Sequence, residues 1–198
     1  MASHSIAFFD TQFRRQVETG EFALNPFEEQ ALPYLQGELL DLGCGLGNLA
    51  LAAARQGCRV TALDASPAAV ERIAAAAGAE GLDLRAEVAD LVHYRLRQDY
   101  DRIVCIGLLM FFPEATARRW IEDIRRHTRP GGVVVLNALV VGTTFMGMFE
   151  AGHYHLFQPG EMRGLFPGWE VLAERQDCFP APEDTVKLFD TLVLRKPA

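Results

Sequence analysis

The stretch L-L-D-L-G-C-G-L-G at 39–47 sets an acid, Asp41, at the end of a short apolar run. Three glycines follow at alternate positions, Gly43, Gly45 and Gly47, with Cys44 between the first two. A buried strand that opens into such a loop lets a ligand lie against backbone, an approach a Cβ or a positive-φ penalty blocks in other residues. The spacing also separates cofactors, because the dinucleotide fingerprint G-x-G-x-x-G needs a glycine where this chain has Asn48. A nucleoside ligand other than a dinucleotide is therefore expected, with a purely structural tight turn as the alternative.

Two more acids end the next apolar runs. C-R-V-T-A-L-D closes on Asp64, with Ala65 after it. A carboxylate there can accept both hydroxyls of a ribose lying across the strand ends; its plainer role is a helix-start acid ahead of Ser66. E-V-A-D-L puts Asp90 and Leu91 at the rim of the same crevice, where the acid can accept from an adenine amino group while the leucine flanks the ring. A turn aspartate is the alternative. Gly107, after the fourth strand, is grouped with these cofactor residues, and so is Arg14, which with Phe9 and Phe13 could close a leader helix over the ligand, plain capping of the core being the alternative.

On the side of a second reactant stand Leu109, Met110, Phe111 and Phe112, and the loop residues His153, Tyr154 and His155. Aromatic rings can close a dry pocket, and a histidine can take a proton or bind an oxyanion. Alternation sends His153 and His155 opposite ways if the segment is extended, so one of them at most faces a ligand. Core packing for the phenylalanines and solvated loops for the histidines are the competing roles, and His93 reads as a surface residue.

These residues need a scaffold that gathers strand ends. Helices are expected over 5–19, 26–36, 47–56, 67–77 and 114–127, and strands over 38–42, 58–63, 82–88, 100–106, 132–138, 169–176 and 185–194. The alternation from residue 38 onward is that of βαβ units around a mostly parallel sheet. Gly57 marks a helix end, and Ser66-Pro67 a helix start. The last two strands, with a proline-rich turn at 179–183 and no room for a helix between them, should pair antiparallel. The stretch 139–160, rich in Met, Phe, His and Tyr, is too long for a plain connection and is expected to be a functional or mobile loop.

With 198 residues, 49% hydrophobic and 23% charged, the chain suits one α/β domain, 1–198, with 1–36 as a helical cap. No apolar run is long enough to span a bilayer, and the first residues lack a basic leader, so a cytoplasmic protein with no membrane partner is expected. The net charge of −7 opposes binding to nucleic acid. Four scattered cysteines, Cys44, Cys58, Cys105 and Cys178, read as reduced thiols rather than a metal site.

Taken together, D-L-G-C-G-L-G, Asp64, V-A-D-L and the T-R-P-G-G at 128–132 resemble the class I S-adenosylmethionine-dependent methyltransferases over about residues 37–195. G-L-L-M-F-F-P at 107–113 and F-Q-P-G-E-M-R-G-L-F-P-G-W-E-V at 157–171 are similar to the tellurite-resistance (TehB-type) branch. The resemblance implies a Rossmann-like three-layer sandwich whose seven-stranded sheet is mostly parallel with an antiparallel last strand. It implies S-adenosylmethionine as cofactor and in-line methyl transfer to a small molecule, for the branch a tellurite- or selenite-type oxyanion, or a thiol. His153, Tyr154, His155 and Phe111 are the candidate acceptor-side residues. The stretch C-F-P-A-P-E-D-T-V-K before the last strand offers only Lys187, where an oxyanion site would gather several cations. An aminopropyltransferase would need a polyamine groove rich in acids near the fourth strand, and G-L-L-M-F-F-P at 107–113 has none before Glu114. A nucleoside-binding sensor or inactive partner subunit, and a monomer or homodimer, complete the expectations.

Overall fold

The computed structural model describes residues 3–20 and 22–198. Helix α1 (Ser3–Thr19) and helix α2 (Pro26–Ala31), the latter continued by a 3-10 turn at Leu32–Tyr34, precede the sheet. Asn25 starts α2 with a capping box: its side chain accepts from Phe27 and Glu28 N–H while Glu28 accepts from Asn25 N–H. The single helix expected over 26–36 thus splits at Pro33, which tightens its last turn.

The strands are β1 (Glu38–Leu42), β2 (Arg59–Asp64), β3 (Leu84–Val88), β4 (Tyr100–Ile106), β5 (Thr128–Leu139), β6 (Glu170–Ala181) and β7 (Thr185–Arg195). They form one sheet in the order β3-β2-β1-β4-β5-β7-β6. The first five run parallel, and β7 is antiparallel to both β5 and β6. Helices α3 (Asn48–Arg55), α4 (Pro67–Glu80) and α5 (Glu114–His127) make the crossovers, and a short α6 (Glu161–Gly164) precedes β6. Two apolar layers flank the sheet. One joins α5, through Trp120, Ile121 and Ile124, to Ile103, Val134 and Leu136. The other joins α2 and α3, through Ala31, Leu49 and Ala53, to Leu39, Val135 and Val193.

Two local differences from expectation have simple causes. β6 runs through Pro180, which pairs with Val186, because β6 is an edge strand and a missing N–H costs nothing on its outer side. The reversal therefore sits at Pro182–Asp184, where Glu183 and Asp184 adopt positive φ. The 139–160 stretch is tied down rather than free. Thr143 and Thr144 exchange hydrogen bonds with Leu188 and Val186 of β7, and Val140 bridges Phe157. Among the described residues no helix is long and apolar enough to cross a membrane.

Candidate functional site

The glycine loop leaves β1 and is held by the end of β2. Gly43 and Cys44 N–H both donate to the Leu63 carbonyl, at 2.8 and 3.1 Å. Asp64 completes the brace, its Oδ2 accepting from Gly45 N–H and its Oδ1 from Ser66 N–H, each at 2.9 Å. Ser66 in turn caps α4 and donates its hydroxyl to Asp10 Oδ1 of α1 at 2.8 Å. A side chain would be strained at two of the loop glycines in particular. At Gly47, with φ +74°, a Cβ would stand 2.4 Å from Ile73 Cγ1, and at Gly45, with φ +52°, it would press on the Phe13 ring.

Above the loop lies a cavity of about 360 Å³. Its floor is the strand ends, its roof α1 through Phe8, Phe9 and Phe13, and its side wall α2 through Asn25, Phe27 and Glu28. A chain of rings extends the roof outward: Phe9 meets Phe111 edge-on at 5.0 Å, Phe111 meets Phe149 at 5.1 Å, and Phe149 meets Tyr154 at 4.9 Å.

The electrostatics at the loop are those of carboxyls withdrawn from water. Asp41 is buried at the end of β1, and burial, with Glu28 and Asp64 adding repulsion, pushes its carboxyl up to about 8. Burial also raises Glu28 and Asp64, against the N–H groups that pull them down. The Cys44 thiol is driven well up by the same burial, so it stays a neutral packing group. Carboxyls this short of water favour a positively charged ligand, which would restore the ionised form.

Of the residues singled out from sequence, Phe9, Phe13, Asp41, Gly43, Cys44, Gly45, Gly47, Asp64, Ala65, Gly107, Met110 and Phe111 line this cavity, while Leu109 and Phe112 are buried in the core. Arg14 does not; its helical neighbours Phe13 and Gln16 do. Asp90 turns to solvent, bonded to Val92 N–H and, at 2.7 Å, to His93 Nδ1. Leu91 is buried in the core, its carbonyl taken by Trp120 Nε1 and Arg119. The reason is local: the 89–99 connection folds under α5 instead of rising over the cavity. His153 is half exposed near Glu150, and His155 packs edge-on against Phe157 while its N–H donates to the Met110 carbonyl. Neither histidine nor Tyr154 lines the cavity; Tyr154 reaches it only through the ring chain.

Sequence reasoning missed Phe27, Glu28, Asn137, Met148 and Phe189 as lining residues. Asn137 carried a signal, as the one amide in the apolar run V-V-V-L-N-A-L-V-V.

Comparison with known proteins decides the family. A family model described as "Methyltransferase domain" matches residues 39–132. The ubiquinone biosynthesis O-methyltransferase of Xanthomonas oryzae pv. oryzae is 32% identical over 173 residues, covering 77% of this chain and 71% of that protein. The chain belongs to the class I S-adenosylmethionine-dependent methyltransferases. Other curated relatives of this methyltransferase are longer, and the chain spans 44%, 42% and 40% of three of them. One is Hemagglutinin 1 of Eikenella corrodens, 35% identical over 133 residues, or 67% of this chain. The methyltransferase also superposes on TehB from Haemophilus influenzae with a TM-score of 0.76 at 21% identity, over 88% of this chain and 63% of that one. At that identity the likeness carries the fold. The family's cofactor is S-adenosylmethionine, and a backbone cradle without room for Cβ atoms, set beside buried carboxyls, suits a cationic nucleoside of that kind.

Proposed function

We propose that this methyltransferase methylates a small molecule inside the α1-roofed cavity, the whole chain acting as one domain with 1–36 as cap and 139–160 as acceptor-side wall. The observation that carries the reading is the continuity of the cavity. Its lining runs from the glycine loop to Asn137 and Leu139 and includes the paired rings of Phe27 and Phe189 as well as Phe9 and Phe111.

S-adenosylmethionine supplies a methyl group already activated by its sulfonium sulfur, so the protein need only align the reactants and exclude water. Gly43, Gly45 and Gly47 admit the ligand to backbone. Asp64, whose oxygens keep lone pairs beyond those given to Gly45 and Ser66, would take the ribose hydroxyls. Asp41 and Glu28 would lie beside a positively charged ligand and would regain their charge there. Phe9, Phe111 and Met148 keep the transfer path dry. The motifs at 107–113 and 157–171, with the TehB-like fold, support placement in the tellurite-resistance branch. The ring-lined chamber supports an organic acceptor within it.

Calorimetric titration with S-adenosylhomocysteine, followed by mass analysis of a panel of hydroxyl, amine, thiol, selenite and tellurite acceptors, tests this. Binding together with a methylated product is expected. No binding at millimolar ligand would overturn the cofactor site, and binding without any methylated product would point to a nucleoside sensor.

A further inference from the structure

The two ends of the cavity carry opposite kinds of titratable group, acids at one and a lysine at the other. Beside the glycine loop it is lined by Asp10, Glu28, Asp41 and Asp64, and at the far end by Lys187, the one Lys or Arg among its lining residues. Register explains how Lys187 arrives there. Directly opposed residues of antiparallel strands share a face, and alternate residues stay on it. Asn137 opposes Thr191 and Leu139 opposes Phe189, while Lys187, further along β7, opposes Phe179 of β6. One sheet face thus presents Asn137, Phe189, Phe179 and Lys187. Phe27 of α2 covers it, its ring 4.8 Å from Phe189 and 5.7 Å from Phe179.

Two groups on this face lack ordinary partners. Lys187 forms no ion pair among the described residues; its Nζ lies 4.6 Å from the centre of the Phe145 ring, and burial lowers its pKa. Asn137 is fully buried with its Nδ2 donating to Thr191 Oγ1 at 2.8 Å, yet its Oδ1 has no partner among the described residues. A buried carbonyl and a half-buried ammonium are both costly to leave unmatched. A ligand that supplies an O–H or N–H to one and a negative charge to the other would satisfy both.

We infer that this end of the cavity holds the methyl acceptor, and that the acceptor is a flat organic anion. Its charge sits on Lys187, its apolar body lies against Phe27 and Phe189, and a hydroxyl or amine donates to Asn137 Oδ1. The inference rests on the methyl-transfer reading and names its substrate class. A bare oxyanion suits the place poorly, because one ammonium among rings cannot replace the hydration that a small, compact ion gives up. An aromatic carboxylate or similar anion loses less, since most of its surface is apolar and its delocalised charge can be met by a single cation.

The test titrates protein saturated with S-adenosylhomocysteine against 2-naphthoate and its neutral isostere 2-naphthamide. Naphthoate should bind about tenfold more tightly than the amide. Lys187→Met should bring naphthoate down to the amide's affinity while leaving the amide and S-adenosylhomocysteine within about twofold, and Lys187→Arg should keep the preference. Equal binding of the pair by wild type, binding of neither, or a preference that survives Lys187→Met overturns the inference. So does a loss of S-adenosylhomocysteine affinity in Lys187→Met, which would assign the lysine to the cofactor's own carboxylate. Displacement of naphthoate by millimolar tellurite would overturn the organic class. If S-adenosylhomocysteine fails to bind wild type, it is the methyl-transfer reading that fails, and this is seen before any naphthoate is added.

Discussion

Asp64 is committed to the backbone at both oxygens, and this gives it a structural part of its own in the cavity wall. Its carboxylate joins Gly45 in the glycine loop to Ser66 at the start of α4, so the loop's shape depends on it. Asp64→Ala leaves two N–H groups without their acceptor and frees the loop. S-adenosylhomocysteine affinity should fall about 10- to 100-fold, equivalent to ~1.4–2.7 kcal/mol, measured by calorimetry. An unchanged Kd would remove Asp64 from the site. Gly47 makes a different kind of demand, because the replacement is strained twice. Gly47→Ala forces an L-residue to φ +74° and drives its Cβ into Ile73, 2.4 Å from Cγ1. Together these should cost about 2–4 kcal/mol of folding stability, seen as a lower urea midpoint at unchanged m-value.

Between elements, the decisive relation is that of α1 to the sheet it roofs. The contacts that tether the helix include Asp10 to the Ser66 hydroxyl, Ser5 Oγ to the Met148 carbonyl at 3.1 Å, Phe9 against Phe111, and Phe13 over Gly45. Among its described side chains only Ser5 is buried, so its docking is weak beside that of α5, whose Trp120 is wholly enclosed. Phe13→Ala should therefore weaken S-adenosylhomocysteine binding about five- to tenfold with little change in melting temperature, since the ring covers the ligand side and not the main core. A large drop in stability with unchanged affinity would make α1 a structural cap only. This division also explains what could be read beforehand. The strand-loop-helix at 38–55 is local, its acid, glycines and apolar run all within one βαβ unit, so its purpose showed in the residues themselves. The chamber at Phe27, Asn137, Lys187 and Phe189 is assembled by inserting β7 between β5 and β6 and laying α2 across them. No sequence spacing records that pairing. Asp90 failed to reach the cavity for the complementary reason: its position at a strand end was legible, but the path of the 89–99 connection beneath α5, fixed by Arg119 and Trp120 gripping its carbonyls, was not.

For the molecule as a whole, the burial of acids around one cavity in a chain of net charge −7 couples folding to pH. Asp41 titrates near 8 in the folded protein against 3.8 in its ordinary state, and Glu28 and Asp64 are shifted in the same direction. Between those two values the native state binds more protons than the unfolded chain, so stability falls as pH rises. The contribution of Asp41 is fully present below 3.8 and lost once pH has passed about 8. Carboxyls held low by their partners, such as Glu38 by Arg129 and Asp101 by the Glu38 N–H and Arg129, act with the opposite sign but only in the acid range, as pH falls below their ordinary values. Melting temperature should therefore decline from about pH 5 to about pH 8.5, and Asp41→Asn, which cannot ionise, should flatten that decline. A cationic cofactor reverses the trend, because it favours the ionised carboxyl: the stabilisation given by S-adenosylmethionine should grow toward pH 8 and its binding should release protons, detected as a buffer-dependent heat. A melting curve for Asp41→Asn parallel to that of wild type across the window would show that Asp41 is not the group that titrates.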